Sequence, residues 1–366
     1  MNQKDICDII IENAIKDWKN SMNNQSQREI WEIPKYSKSE INKAGSIIAD
    51  PSSSKEERDN ALIILNNWRA SHAYPLQVIC NNLRLRNPDA IVVQRLKRLE
   101  SITGKIERFP DMSLYRMQDL GGCRVIVDTI DQVYETVNKY KDSRIRHILK
   151  REYDYIQNPK DSGYRSYHMV YQFQSDKKDT YNKNILIEIQ FRTKLQHIWA
   201  TAVEMMGIYT KSNLKSSQGD THILRFFTLV SSVIAIQEHR AVCPNTSENI
   251  YDLVHEIKLL DKNHRIISIL SGINLAIDYT QRNTNNKSNY YLLILDYATK
   301  KVRIAEFKPS QLEAATKAYG NIEKETDKNV VLVSAKSFNE LREAYPNYFI
   351  DISEFINMIQ EIIKKY

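Results

Sequence analysis

Between positions 185 and 192 the chain reads ILIEIQFR, and the alternation is strict. Ile185, Ile187, Ile189 and Phe191 fall on one face, Leu186, Glu188, Gln190 and Arg192 on the other. A period of two held this long specifies a β-strand with one wholly apolar face, so the chain must build a sheet that is buried on at least that side. Glu188 breaks the other face. A carboxylate in mid-strand is costly to bury unless it is paired or bound to a metal, which makes Glu188 the residue least explained by packing and a candidate functional group.

Upstream, QDLGGCRVIVDT (118–129) pairs a chain break at Gly121-Gly122 with a short buried strand, CRVIVD, which has Asp119 just before it and Asp128 at its end. A helix over 130–141 and a basic connection (Arg144, Arg146, Lys150, Arg151) lead to DYIQNPKDSGYRSYH (154–168). This loop has turn signals at Asn158-Pro159 and Ser162-Gly163 and carries Tyr155, Tyr164 and Tyr167. Gly163 permits backbone angles that would let Tyr164 stand out as a stacking surface, with Lys160 and Arg165 beside it to hold phosphate. The plainer alternative is a hairpin loop whose tyrosines pack against its stem. A strand over 168–173 follows the loop, and Thr193 begins a helix carrying Gln196, His197, Trp199, Ala200 and Glu204. Ahead of all this, IVVQRLKRLESITGKIERF (91–109) is read as a helix with Arg95 and Arg98 on one face and Ser101 and Lys105 continuing it, a basic ridge within reach of one triphosphate. The alternative is a solvated face balanced by Glu100 and Glu107.

Around this core the first ninety residues are helical. A helix across 3–31 is followed by one capped by Ser37 or Ser39 and ended by Asp50-Pro51. The next has a Ser54/Glu57 capping box, and the last is opened by Pro75 and closed by Asn87-Pro88. Apolar stripes over 221–241 and 249–279 read as packing helices, and QRNTNNKSN (281–289) as a polar linker. Beyond it a hairpin, a helix, the strand VVLVSA and two further helices make a small separate α+β unit without Cys or His, and so without the usual zinc ligands. The expected division is a helical region at 1–90, a catalytic core at 91–215, a helical connector at 216–282 and a C-terminal unit at 290–366. The expected fold class is α+β, a mixed sheet flanked by helices. A formal charge of +7 and a pI of 8.9 are compatible with an anionic partner. No apolar run approaches the ~20 residues of a membrane span, the N-terminus lacks the form of a secretory signal, and Cys7, Cys80, Cys123 and Cys243 are far apart. A reduced, cytoplasmic protein is expected.

RLKRLESITGK (95–105), QDLGGCR (118–124), DYIQNPKDSGYRSYH (154–168) and IEIQFRTKLQHIWA (187–200) resemble, in order and spacing, the RelA/SpoT synthetase domain. The resemblance implies a nucleotidyltransferase-like fold and a pyrophosphokinase that moves pyrophosphate from ATP to a ribose 3′-hydroxyl with Mg²⁺ as cofactor. Position by position it implies ATP contacts at Arg95, Lys97, Ser101, Lys105 and Arg124. Metal ligands fall on Asp119 and Glu188, and catalytic roles on these two and Tyr164. Acceptor contacts fall on Lys160, Tyr164, Arg165, His168, Gln190 and Arg192. Two positions depart from the family pattern: Tyr153 stands where many alarmone synthetases carry lysine, and Ser162 where Asn is frequent. Both concern the acceptor. No His-Asp dipeptide occurs, which argues against the hydrolase domain of bifunctional members.

The C-terminal region 290–352 resembles that of the fused toxin–antitoxin members, the CapRel type, in which a metal-free zinc-finger-like domain folds over the active site. There a YxxY motif occupies the adenine site until phage capsid protein releases it; here YPNY places those tyrosines at Tyr345 and Tyr348. The implied function is a translation-blocking, anti-phage enzyme that pyrophosphorylates the 3′-CCA end of tRNA. The alternatives are a synthetase of guanosine or adenosine alarmones, with the same chemistry on a small acceptor, and a non-catalytic nucleotide-sensing module.

Overall fold

The structure, a computed structural model, describes residues 31–109, 111–210, 219–273, 289–296, 301–323, 328–335, 340–341 and 352–366, with the isolated positions 13, 214 and 344. The expected helix across 3–31, apart from positions 13 and 31, the linker 281–289, apart from Asn289, and both tyrosines of YPNY lie outside the described residues.

Three helices open the described chain: α1 (Lys38–Ala49), α2 (Lys55–Ala70) and α3 (Ala73–Arg86). The first two start as their sequences dictate. Ser37 with Glu40, and Ser54 with Glu57, exchange side-chain and backbone hydrogen bonds as full capping boxes, each worth about 1 kcal/mol. Then follow β1 (Ile91–Leu96), α4 (Leu99–Arg108), β2 (Gly121–Val127), α5 (Ile130–Lys141), β3 (Ile148–Asp154), β4 (Tyr167–Gln172) and β5 (Leu186–Thr193). The helices α6 (Lys194–Thr210), α7 (Thr221–Gln237), α8 (Ile250–His264) and α9 (Ile266–Ile273) come next. After them are β6 (Asn289–Asp296), β7 (Lys301–Phe307), α10 (Leu312–Ile322), β8 (Lys328–Ala335) and α11 (Ser353–Lys365).

All eight strands join one mixed sheet in the order β3-β4-β5-β2-β1-β8-β6-β7. β2 and β5 run parallel; the other pairs are antiparallel. One face of the sheet's first half sends Val92, Cys123, Val125, Met169, Ile187, Ile189 and Phe191 into a core with the apolar stripes of α1 to α5, including Leu65, Trp68 and Ile79. The opposite face packs Val93, Ile126, Leu293, Val331 and Val333 against α6 to α9 and α11, through Trp199, Phe226, Val230, Val254 and Phe355. α10 packs against the C-terminal strands, on Tyr290, Leu292, Val330 and Leu332. The architecture is α+β with a mixed sheet flanked by helices.

Three local expectations need correction. Residues 91–96 form a strand, not the start of a helix: Ile91, Val92 and Val93 are β-branched, which favours an extended backbone, and β1 pairs on both sides. Arg95 therefore stands on a strand, Arg98 is the N-cap of α4, and only Ser101 and Lys105 are helical. The basic connection before the loop is in part an edge strand, β3, so the loop closes a β3–β4 hairpin. Finally, residues 290–366 are not separate in the sheet. β8 pairs with β1 at Gln94↔Ser334 and Arg95↔Val333, and makes the C-terminal hairpin an extension of it.

Candidate active site

The register places the functional side chains in two rows on the sheet face that carries Glu188. One row runs Arg95, Gly122, Glu188, Val170; the next runs Arg124, Gln190, His168, Tyr153. Gly122 lies between Arg95 and Glu188 and offers no side chain. A Cβ built there would meet only the Arg95 carbonyl, at 3.9 Å, so a cleft opens in the middle of the sheet. Arg95, Arg124, Asp119, Glu188 and Gln190 line it over Gly122 and Cys123. Two cations, two carboxylates and a glycine floor make a cradle for a phosphate chain.

Asp119 precedes β2 and is held from both sides: Lys97 Nζ donates to Oδ2 at 2.7 Å and Lys105 Nζ to Oδ1 at 2.9 Å. Burial pushes its carboxyl up, but the two lysines outweigh burial and hold it well below the usual carboxylate range. Lys97 is itself pushed down by burial, against the opposing pull of Asp119. The lysines expected at ATP thus neutralise the carboxylate expected at the metal. Ser101 is half-buried on α4 and is not among the residues lining the cleft.

Glu188 accepts from Gln190 Nε2 at 2.7 Å on one oxygen and faces His168 Nδ1 at 3.1 Å on the other. Burial raises its carboxyl, and His168 more than compensates, leaving it below the ordinary value and ionised. His168 Nε2 lies 3.0 Å from the Tyr164 hydroxyl, so the chain of contacts Tyr164–His168–Glu188–Gln190 is continuous. Burial lowers His168, but Tyr164 and Glu188 raise it to about 9. Tyr164, pushed up by burial, is brought down to about 8 by His168 and Arg192.

The loop only partly matches expectation. Gly163 has φ +84°, and Tyr164 follows it, but the ring is half-buried, edge-on to Tyr155 and His168. Lys160 Nζ lies 4.4 Å from the Tyr155 ring and 5.5 Å from the Tyr164 ring, over the aromatic surface an acceptor base would use. Tyr153 stacks parallel to Tyr155 and pairs in register with His168. Arg165 is the clear departure. Its side chain is 2% exposed and donates to Ser231 Oγ (3.1 Å), the Ile156 carbonyl (3.1 Å) and the Ala241 carbonyl (2.7 Å), so it pins the loop to α7 and the segment after it instead of facing a ligand. Arg192 is also buried, with Nη2 2.6 Å from His197 Nδ1; burial first, then Arg124, pushes it well below its ordinary value.

Two features escaped the sequence reading. The Ala344 carbonyl accepts from Arg124 Nη1 at 2.9 Å, which brings the C-terminal segment to the cleft one residue before Tyr345. Glu323 reaches the β1–α4 turn. Neither contact has a local signal, since each joins residues more than two hundred positions apart.

Asp119 and Glu188 are the hard-oxygen pair expected of a magnesium site, both ionised and both lining the cleft. Among the described residues no group of three or more His, Cys, Asp or Glu could hold a metal. A pair suits an ion that draws its remaining ligands from substrate phosphates and water.

Residues 94–218 match the family described as the region found in RelA/SpoT proteins, which spans the cleft from β1 through α6. The chain is 32% identical over 132 residues to GTP pyrophosphokinase YjbM of Bacillus subtilis (35% of this chain, 61% of that protein). It is 32% identical over 138 residues to GTP pyrophosphokinase YwaC of the same organism (36% and 64%). It thus spans less than two thirds of the length of these curated relatives. Among solved structures, small alarmone synthetase 1 of Bacillus subtilis bound to its product pppGpp aligns at 23% identity, covering 45% of this chain and 90% of that one, with a TM-score of 0.38. A GTP pyrophosphokinase family protein of Streptococcus pneumoniae aligns at 29% identity over 51% and 91%, also at 0.38. Residues 94–218 are thus similar to the region found in RelA/SpoT proteins. No helix among the described residues is long and apolar enough to cross a membrane.

Proposed function

We propose that this chain is an ATP-dependent pyrophosphokinase whose acceptor is the ribose 3′-hydroxyl at the 3′-CCA end of tRNA. The observation that carries the chemistry is the Gly122 cleft, with Asp119 and Glu188 facing Arg95 and Arg124 across a floor without a side chain. The acceptor 3′-oxygen attacks the β-phosphorus of ATP, the bond from that phosphorus to the α–β bridging oxygen breaks, and AMP leaves. Glu188 takes the hydroxyl proton; the contacts from His168 and Gln190 orient its carboxylate and keep it ionised in the resting state. Arg95 and Arg124 stabilise the charge on the phosphates, joined by Lys97 and Lys105 once phosphate oxygens compete for them with Asp119. Magnesium held by Asp119 and Glu188 would supply further positive charge across the phosphates. Tyr164, with Lys160 displaced, holds the acceptor base by stacking, worth about 1–3 kcal/mol.

The C-terminal segment is proposed to hold this activity off, with Tyr345 and Tyr348 as the blocking residues and a phage protein, capsid protein by resemblance, as the trigger. The support is positional: the carbonyl of Ala344, the residue directly before Tyr345, already accepts from Arg124. The resulting biological role is an anti-phage block of translation in the cytoplasm. Tyr345→Ala with Tyr348→Ala should arrest growth on expression without any phage; undisturbed growth with soluble protein present counts against autoinhibition.

The second reading is a synthetase of guanosine or adenosine alarmones, favoured by the names of the two curated relatives. Labelled ATP offered with deacylated tRNA, GDP and GTP in parallel separates the two. Label on GDP or GTP and none on tRNA selects the second. A nucleotide-sensing module without catalysis is disfavoured by the presence of both carboxylates at the cleft.

A further inference from the structure

The turn between β1 and α4 carries Lys97 at one end and leads to Lys105 at the other, and both lysines reach Asp119. Such a turn needs its own anchor, yet Arg98 at the α4 N-cap supplies no side-chain cap. The cap comes from the far end of the chain. Glu323, directly after α10, accepts from the Leu99 backbone N–H at 2.5 Å, from the Tyr319 hydroxyl at 2.8 Å and from Arg69 Nη1 at 2.6 Å. Arg69, on α2, stacks on the Tyr319 ring at 4.7 Å, and its Nη1 also lies 3.4 Å from the Lys97 carbonyl. The pair is shut away from water: the side chains of Arg69 and Glu323 are 4% and 10% exposed. A carboxylate at the first amide of α4 complements the positive end of that helix, and the arginine ties it to the backbone of Lys97. β8 grips the same stretch from its other side, through Arg95↔Val333, while Val92 N–H donates to Glu340 Oε1 at 3.3 Å.

We propose that Glu323 and Arg69 are positioning residues for the ATP side of the site: a latch through which the C-terminal segment sets Lys97 and the start of α4. The proposal rests on reading Lys97 and Lys105 as nucleotide-phosphate ligands. It gives the segment a second role opposed to blockade. Ala344 sits at the cleft, through Arg124, whereas Glu323 helps to build it. A trigger must therefore lift the former and leave the latter docked, and removal of the whole segment abolishes activity instead of releasing it.

Breaking one partner alone leaves a buried charge, so Glu323→Ala risks unfolding. The test therefore uses the full chain in its Tyr345→Ala/Tyr348→Ala form, in which the proposed block is removed, with Arg69→Met and Glu323→Leu added together, which removes both charges at similar volume, beside Glu323→Asp and a reference that is wild type at positions 69 and 323. Thermal melting reports folding, and calorimetric titration with a non-hydrolysable ATP analogue and magnesium reports the ATP side without turnover. Expected is a melting curve near the reference, analogue affinity at least tenfold weaker in the double variant, and partial recovery in Glu323→Asp. In kinetics KM for ATP should rise while KM for the acceptor stays within twofold. Analogue affinity within twofold of the reference in the folded double variant overturns the latch. So does a parallel loss of ATP and acceptor affinity in proportion to unfolding. Failure of the Tyr345→Ala/Tyr348→Ala reference itself to bind the analogue overturns the nucleotide reading on which the latch rests.

Discussion

The cleft at Gly122 can be tested by adding one methyl group. Gly122→Ala places a Cβ on the strand between Arg95 and Glu188, where the nearest atom it meets is the Arg95 carbonyl oxygen at 3.9 Å, an ordinary van der Waals contact. Gly122 is not among the glycines with positive φ, so alanine adopts its backbone without strain. The folded protein should therefore lose nothing, and a strand alanine should add up to about 0.5–1 kcal/mol through the unfolded chain. The ligand loses instead. A methyl projecting into the phosphate cradle acts as overpacking, which costs about 1–3 kcal/mol in a close-fitting site, or a roughly 5- to 150-fold weaker Kd. Titration of ATP with magnesium into proteins with and without Gly122→Ala, both carrying Tyr345→Ala and Tyr348→Ala to remove the proposed block, alongside chemical denaturation of both, measures the two quantities separately. Equal ATP affinity in a variant of unchanged stability would refute the assignment of the cleft to phosphate, because the methyl has no other place to act.

Further outcomes follow from the same geometry. Glu188→Gln should leave ATP affinity within a few fold while transfer slows by about 10²–10⁴, the usual contribution of a positioned base; single-turnover rates with labelled ATP measure this, and a loss below tenfold removes Glu188 from the proton transfer. Gly163→Ala should destabilise by about 1–3 kcal/mol in denaturant unfolding, since φ is +84° and a Cβ would stand 3.0 Å from Ser231 Cβ and Trp199 Cζ2; a stability equal to wild type would show that the loop relaxes freely. His168 has a folded pKa raised to about 9, so its stabilising contribution is complete below the unfolded value near 6.5 and is lost as pH rises through about 9. The stability difference between wild type and His168→Gln should accordingly shrink over pH 6.5–9. Tyr164, lowered to about 8, has the opposite sign: its contribution is present above its unfolded value near 10 and is lost as pH falls through about 8. A wild-type minus His168→Gln difference that is flat with pH contradicts the Tyr164–His168–Glu188 coupling.

What sequence could and could not disclose divides by range. The strand expected over 185–192 and found at Leu186–Thr193, the Glu188 face, the Ser37 cap and the Ser54/Glu57 capping box rest on spacing within one element, and all appear in the structure. Arg95 stands on a strand although Arg95, Arg98, Ser101 and Lys105 follow one another at three- and four-residue steps through the strand boundary; pairing with β2 and β8 makes 91–96 extended. Arg165 looked like a phosphate ligand because it neighbours Tyr164; its partners Ser231 and Ala241 are far along the chain and consume its donors. Cys80 and Cys123 are far apart in sequence, yet their sulfurs lie 2.8 Å apart between α3 and β2. The Arg69–Glu323 latch and the Arg124–Ala344 contact are likewise products of the sheet, in which the C-terminal hairpin becomes the neighbour of β1.

The most direct test of the central claim is to follow both halves of ATP. The protein and its Tyr345→Ala/Tyr348→Ala variant are incubated with magnesium, ATP labelled at the β-phosphate, and deacylated tRNA, GDP or GTP. The account predicts that AMP and 3′-pyrophosphorylated tRNA form in equal amounts, faster in the variant, and that neither forms with Glu188→Gln. Release of ADP and orthophosphate instead of AMP, or no AMP from either protein with any acceptor, would contradict it.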